Sequence, residues 1–179
     1  MDNSIFIGFG ILVVLLFFAS VAIIHMRTIR DDVNLRWYNL ADKLQYRQDL
    51  VPNLIETVRL FVPEADLPKH KGLIDKTIEI RAHAEKDIEA SASKMIVEHD
   101  LSSHIKQLIQ LGLTYEELKK STNFMELKKE TTDIALEIVA LASDYNKKVR
   151  HHNSVIKSPF NLLPAVIMRY KKKFIFEFE

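Results

Sequence analysis

The chain has 179 residues, enough for one domain with a hydrophobic core and an accessory segment. Lys and Arg number 25 against 24 Asp and Glu, so no net field draws the chain to nucleic acid or another strongly charged partner. Cysteine is absent, which removes disulfides, thiolate metal sites and cysteine catalysis, and four glycines and five prolines beside 47% hydrophobic residues exclude a turn-rich all-β fold and a disordered chain.

The expected fold is all-α: an amino-terminal transmembrane helix, then an elongated antiparallel four-helix bundle with long helices. The segments expected are a short extension (1–4), the membrane helix (5–24), a juxtamembrane segment (25–32), the bundle (33–157) and an apolar, basic and aromatic tail (158–179). Residues 5–24 carry no charge and are long enough to cross a hydrocarbon core of about 30 Å. A cleaved signal peptide would need a positive n-region, and here only Asp2 is charged besides the amino terminus. Arg27, Arg30 and Arg36 follow the span and no Lys or Arg precedes it. The positive-inside rule then puts the amino terminus outside and the body of the protein at the cytoplasmic face of the cell membrane.

After the span, Val33, Trp37, Leu40, Leu44, Arg47, Val51, Leu54, Val58 and Phe61 recur in four-three steps, the signature of a helix with one buried stripe. Pro52 lies inside this stripe. The register passes through it unchanged, so the spacing predicts one helix kinked at Pro52 rather than two helices. Residues 62–72 hold Pro63, Pro68 and Gly72 and read as a loop. A second long helix is expected to carry Ile74, Thr77, Ala84, Ile88, Ser91 and Met95 on one face. A shorter one carries Leu101, Ile105, Leu108, Ile109 and Leu111, with Gly112 as its cap.

From 123 to 156 the chain has no proline or glycine. Phe124, Leu127, Thr131, Ile134, Ile138, Leu141 and Tyr145 form a seam that continues through Val149, Asn153 and Ile156, with Asn123 and Glu126 as an expected capping box. Asn146 and Asn153 are seven residues apart and share a face. Asparagines on an apolar seam cost stability unless paired, and in return they fix register, so a structural role is preferred to ligand binding.

The histidines do not fall into a metal pattern. None has Glu three residues before it, and there is no H-E-x-x-H. Glu98, His99 and His104 are weak candidate ligands, as are His151 and His152, and solvated histidines are the simpler expectation. Glu116 and Glu117, like Asp87 and Glu89, lie in charged runs that read as solvated faces. There is no Gly-rich phosphate loop. No cofactor is expected.

Residues 160–168 are apolar but too short to span a bilayer, and a basic run to Lys173 follows. The tail is expected to fold back along the bundle, the competing reading being an interfacial segment with its lysines on anionic lipid. Phe174, Phe176 and Phe178 alternate with Ile175, Glu177 and Glu179, a period of two that suits an extended strand able to add to a partner.

Several of these residues together resemble the LemA family. Arg47-Gln-Asp49-Leu50-Val51-Pro52-Asn53-Leu54-Ile55-Glu56-Thr57-Val58 resembles its R-x-D-L-I-P-N-L-V-E-T-V signature, and Trp37 stands where that family has its tryptophan. Arg81-Ala82 is similar to its pattern, as are Pro159 and Asn161. The stretch from Tyr115 resembles its Y-P-x-L-K-x-x-x-N-F-x-x-L junction, with Glu116 replacing proline and favouring a helical turn. Tyr145-Asn146-x-x-Val149-x-x-His152-Asn153-x-x-Ile156 resembles its Y-N-x-x-V-x-x-Y-N-x-x-I repeat, with His152 for the second tyrosine. A further departure is Ile134-Ala135-Leu136 where the family tends to carry a polar T-E-N run.

The resemblance implies membrane attachment and a helical bundle. The expected function is a non-catalytic scaffold or interaction module, held in the bilayer through 5–24, with a protein partner and no nucleic acid. A second copy of the chain could serve as that partner. The alternative is a bundle that binds a small ligand or metal at Asn146, His152 and Asn153. The polar residues to follow into the structure are therefore Tyr145, Asn146, His152 and Asn153, and the signature residues Trp37, Arg47, Asp49, Pro52, Asn53 and Glu56.

Overall fold

The computed structural model describes residues 3–177, so Met1 and Asp2 of the extension, and Phe178 and Glu179 of the alternating tail, lie outside the described residues. It is all-α, with no strand among the described residues. In chain order the helices are α1 (Asn3–Phe61), α2 (Leu67–Lys86), α3 (Ala92–Gly112), α4 (Glu116–Lys120), α5 (Thr122–Val155) and α6 (Pro159–Ile167).

One helix, α1, carries both the apolar span and the first seam, without interruption through 25–32 or at Pro52. Its 59 residues extend roughly 88 Å at about 1.5 Å per residue. The amino-terminal part is long and apolar enough to cross a membrane, and most of its described side chains are exposed: Phe9 is 66% and Phe18 65% exposed. The change comes at Met26, which is buried against Ile156 and Ala165.

Beyond that point, α1 is covered in two different ways. Its distal half, from Arg47 to Phe61, is packed by α2, α3 and α5 in an antiparallel four-helix arrangement. Val51, Leu54, Val58, Ile74, Leu101, Leu108 and Phe124 make this core. The half nearer the span is packed by α5 and by the extended tail, with Val33, Trp37, Leu40, Leu44, Ile138, Tyr145, Val149 and Phe176 in the core. The α2–α3 hairpin reaches only the edge of this half, because it turns at 87–91; there Ala90 and Met95 pack against the second core and Trp37 Nε1 donates to the Ile88 carbonyl at 3.1 Å.

That turn corrects the single helix expected through Met95. Ser91 is the N-cap of α3, accepting from the Lys94 amide at 3.0 Å, and Met95 belongs to α3. A side-chain oxygen that satisfies an orphan amide starts a new helix even where the apolar spacing would allow the old one to continue. The expected loop over 62–72 is also shorter. Pro68 sits in the first turn of α2, where its missing N–H costs nothing, and Gly72 is inside the helix. The cap of α5 is Ser121, which accepts from the Phe124 amide at 3.3 Å. Asn123, expected there, instead donates to Thr57 Oγ1 on α1 at 3.0 Å.

The seam of α5 also drifts. Ala142 and His152 are buried where Leu141 and Asn153 were expected to be innermost. A straight helix has 3.6 residues per turn, so a 3.5-residue stripe must slip over such a length. Here the slip falls at the steps Ile134, Ile138 and Ala142.

Gly112 closes α3 without a left-handed turn; the C-cap that follows, Leu113, is right-handed. Its need is space: a Cβ on Gly112 would overlap the ring of the fully buried Phe124. Gly112→Ala is expected to cost about 1–3 kcal/mol by overpacking. Combining it with Phe124→Leu should recover part of that loss in a chemical denaturation series, and an undiminished loss would place the strain elsewhere.

α6 ends in a Schellman turn. Arg169 N donates to Val166 O at 3.1 Å and Tyr170 N to Ala165 O at 2.9 Å. Arg169 stands at the left-handed position with φ 53°, where glycine is usual. The Cβ penalty of that conformation is about 1–2 kcal/mol.

Candidate functional site

Two polar constellations lie within the bundle, one under each half of α1. In the distal half, Glu98 of α3 is fully buried, and its carboxylate takes three donors. Arg47 and Gln48 reach it from α1, and Lys94 Nζ lies 2.8 Å away. Arg47 also donates to Ser102 Oγ and to the Glu98 carbonyl. Burial pushes the Arg47 guanidinium down from its ordinary value, and the Glu98 carboxylate opposes that shift. Two cations face one carboxylate. The excess positive charge meets the end of α2, where Lys94 Nζ donates to the Ala84 carbonyl at 2.6 Å. Ala84 lies in the last turn of α2, whose carbonyls have no helical partner and carry the negative end of the helix dipole.

One turn further along α1 is Pro52. Proline has no N–H, so the carbonyl four residues back, that of Gln48, loses its helical donor. Arg81 of α2 replaces that donor: its Nε donates to Gln48 O at 2.7 Å, and its Nη2 pairs with Glu85 and lies 3.8 Å from Asp49. The defect that proline leaves in α1 thereby becomes an attachment point for α2. Arg81→Ala should cost about 1 kcal/mol in the parent chain. In a Pro52→Ala background, where the carbonyl regains an amide, the cost should shrink. A double-mutant cycle by urea unfolding of the detergent-solubilised chain measures this, and equal costs in both backgrounds would contradict the assignment.

Of the other signature residues, Asp49, Pro52, Asn53 and Glu56 are exposed, and Pro52 and Glu56 line a shallow groove with Ile55, Arg59, Ile78 and Arg81. Trp37 is in the core of the half near the span, its ring centroid 5.4 Å from those of Tyr145 and Phe176.

The second constellation is on α5, where the asparagines of its repeat bind the chain's own tail. Asn146 Nδ2 donates to Phe176 O and its Oδ1 accepts from Phe176 N, both at 2.8 Å. Asn153 does the same for Lys173, Nδ2 to O at 2.9 Å and N to Oδ1 at 2.8 Å. Between them, Tyr145 Oη donates to Phe174 O at 2.9 Å. Each carboxamide thus presents one donor and one acceptor to a single residue, as a neighbouring β-strand would. The spacing explains why this works. Seven helical residues rise about 10.5 Å and three extended residues span about 10 Å, so one heptad of α5 matches three residues of tail.

The Phe176 ring is fully buried below this ladder. Burial also raises the Tyr145 hydroxyl to about pKa 12. The backbone of the tail at 173 and 176 is therefore engaged within the chain, and an added strand on a partner would have to displace it.

His152, expected in solvent, is buried with 1% exposure. Its Nδ1 lies 3.2 Å from Asn153 Oδ1, and its Nε2 has no hydrogen-bond partner. Burial lowers its pKa; the Asn153 contact opposes the shift, while Lys173, Arg30 and His151 add to it. The carboxamides proposed as ligand donors in the alternative reading already hold the tail. Glu98, weighed with His99 and His104 as a metal ligand, is committed to Arg47, Gln48 and Lys94. Among the described residues no three His, Asp or Glu side chains come together to hold a metal ion.

A model of the LemA family matches residues 36–179. The chain belongs to the LemA family. No curated protein matches it. The matched region includes both constellations and leaves the apolar span outside. In this LemA chain the signature asparagines and tyrosine hold the extended tail, and the signature Arg47 holds a buried carboxylate. Sequence reasoning marked all of these positions except their partners. Glu98 stood in the sequence only as a weak metal-ligand candidate beside His99 and His104; the signal for its buried role was its place one turn before Leu101 on the buried face of α3.

Proposed function

We propose that this LemA protein is a single-pass membrane protein of the cell membrane, anchored by residues 5–24, with its amino terminus outside and its bundle at the cytoplasmic face. There it acts as a non-catalytic scaffold for a protein partner. The observation that carries this reading is the continuity of α1, which runs from the apolar span to the far end of the bundle with no hinge among its described residues. A bundle built on such a helix is held at a set distance and orientation from the bilayer, which is what a docking platform needs and an independent soluble domain does not.

The arginines that follow the span support the orientation. Both polar constellations fasten one element to another, which supports rigidity as their role. Membrane fractionation combined with labelling of each terminus in intact and opened cells tests the proposal. The bundle should be labelled only after opening. A protein recovered in the soluble fraction, or a bundle reactive from outside, would overturn it, and crosslinking in membranes identifies what the scaffold holds.

A further inference from the structure

α6 is the most apolar stretch of the chain outside the span, yet most of its surface is uncovered. Phe160 is 91% exposed, Val166 and Ile167 are each 67% exposed, and Leu162 is 54% exposed. The opposite side is anchored: Ala165 packs on Met26 and Ile156. Asn161 Nδ2 donates to Val155 O at 3.2 Å, tying the start of α6 to the end of α5. The exposed face is therefore held in place, and its position is informative. Met26 lies two residues beyond Ile24, the last apolar residue of the span, so α6 sits beside α1 where α1 would leave the hydrocarbon.

Basic residues follow this contact in the chain on both elements. Arg27 lies on α1, and Arg169, Lys171 and Lys172 follow α6, all exposed. Arg30 is 5.5 Å from the centre of the Tyr170 ring, although Asp31 also pairs with it. A second feature comes from the backbone. The left-handed position at the end of α6 is one glycine would occupy without strain, and the chain instead carries arginine there. A cation kept where the backbone disfavours a side chain points to use of its charge.

We propose that α6 and its following turn form an interfacial foot that docks on anionic phospholipid headgroups of the leaflet from which α1 emerges. Phe160, Val166 and Ile167 enter the boundary between headgroups and acyl chains, and Arg169, Lys171 and Lys172 meet the phosphates. The proposal rests on the reading of 5–24 as a membrane span. Docking would hold α1 at a fixed depth and tilt and would keep the tail seated on α5, since the tail begins where α6 ends.

The absence of cysteine makes the test direct. Full-length protein with single substitutions Val13→Cys, Phe160→Cys or Leu136→Cys, each spin-labelled, is reconstituted into vesicles of phosphatidylcholine alone or mixed equally with phosphatidylglycerol. Collision with oxygen and with a water-soluble nickel chelate then reports depth. The oxygen-to-nickel ratio at 160 should be several-fold above that at 136 in the anionic vesicles and should fall in phosphatidylcholine alone. Adding Arg169→Gly, Lys171→Gln and Lys172→Gln should remove the difference between the two lipids while leaving Trp37 emission, a reporter of bundle packing, unchanged.

If 13 is in the bilayer and 160 is water-exposed in both lipids, the foot is overturned and the span stands. A label at 13 outside the bilayer would sink the span and the foot together. Equal insertion in both lipids overturns the headgroup assignment, and a label at 160 shielded from both reagents means that protein covers this face, which also overturns it.

Discussion

Replacing Glu98 by alanine is expected to destabilise the bundle by about 3–5 kcal/mol, the usual cost of breaking a buried ion pair from one side. The residue is fully buried, and its loss leaves Arg47 and Lys94 beneath the surface without their carboxylate. Arg47 would keep Ser102 and the Glu98 main-chain carbonyl, and Lys94 would keep the Ala84 carbonyl, none of which carries a full negative charge. Glu98→Gln keeps the shape and part of the hydrogen bonding and should fall between alanine and the parent.

A joint replacement, Arg47→Met, Lys94→Met and Glu98→Leu, removes all three charges. It should lie much closer to the parent than Glu98→Ala does, because apolar groups of similar volume incur no desolvation cost. Thermal and denaturant unfolding of the detergent-solubilised chain, followed by circular dichroism, gives the order. If the joint variant is the least stable of the three, the cluster contributes net attraction rather than specificity.

Truncating Phe176 to alanine is the second large effect, about 3–5 kcal/mol for a fully buried aromatic ring. It removes the contact with Trp37 and Tyr145 and opens the groove between α1 and α5. Asn146→Ala acts on the same tail by another route. It removes the two hydrogen bonds that hold the buried amide and carbonyl of Phe176, at about 0.5–1.5 kcal/mol for each bond lost. Because both changes release one segment, their effects should fall short of additive.

Trp37 is the only tryptophan of the chain and lies against Phe176, so its emission should shift to longer wavelength in either variant. Hydrogen exchange at 173–177 should rise while exchange in the distal core around Leu101 and Leu108 stays slow. Unchanged exchange in the tail of Asn146→Ala would mean that the ladder does not hold it.

Much of the architecture was legible in the residues because helix periodicity is a local property. Each member of the first seam up to Val58 is buried, with Phe61 partly so, and the register through Pro52 indicated a single helix correctly. The misreadings at 87–91 and at Asn123 have one cause. A cap is decided by which side chain reaches an orphan amide, and Ser91 and Ser121 do so where spacing alone favoured other residues. His152 was misplaced for a different reason: the tail folds over that face of α5, and nothing within a heptad of His152 announces a segment some twenty residues away.

The apolar span, the two long seams, the helical class and the LemA resemblance follow from the order of residues alone, since each depends on composition or on repeats of three and four. The partners of the polar residues were decided only by tertiary structure. Nothing in the pattern of α5 distinguishes an asparagine that pairs across a bundle from one that holds an extended tail. That choice depends on an extended tail whose three-residue rise equals one heptad of helix, and whose course across α5 is set by the turn at Arg169. In the same way, a proline, an arginine and a carboxylate from three helices become a fastening only when α2 and α3 lie against α1, because the unpaired Gln48 carbonyl and the buried Glu98 charge need partners far away in the chain.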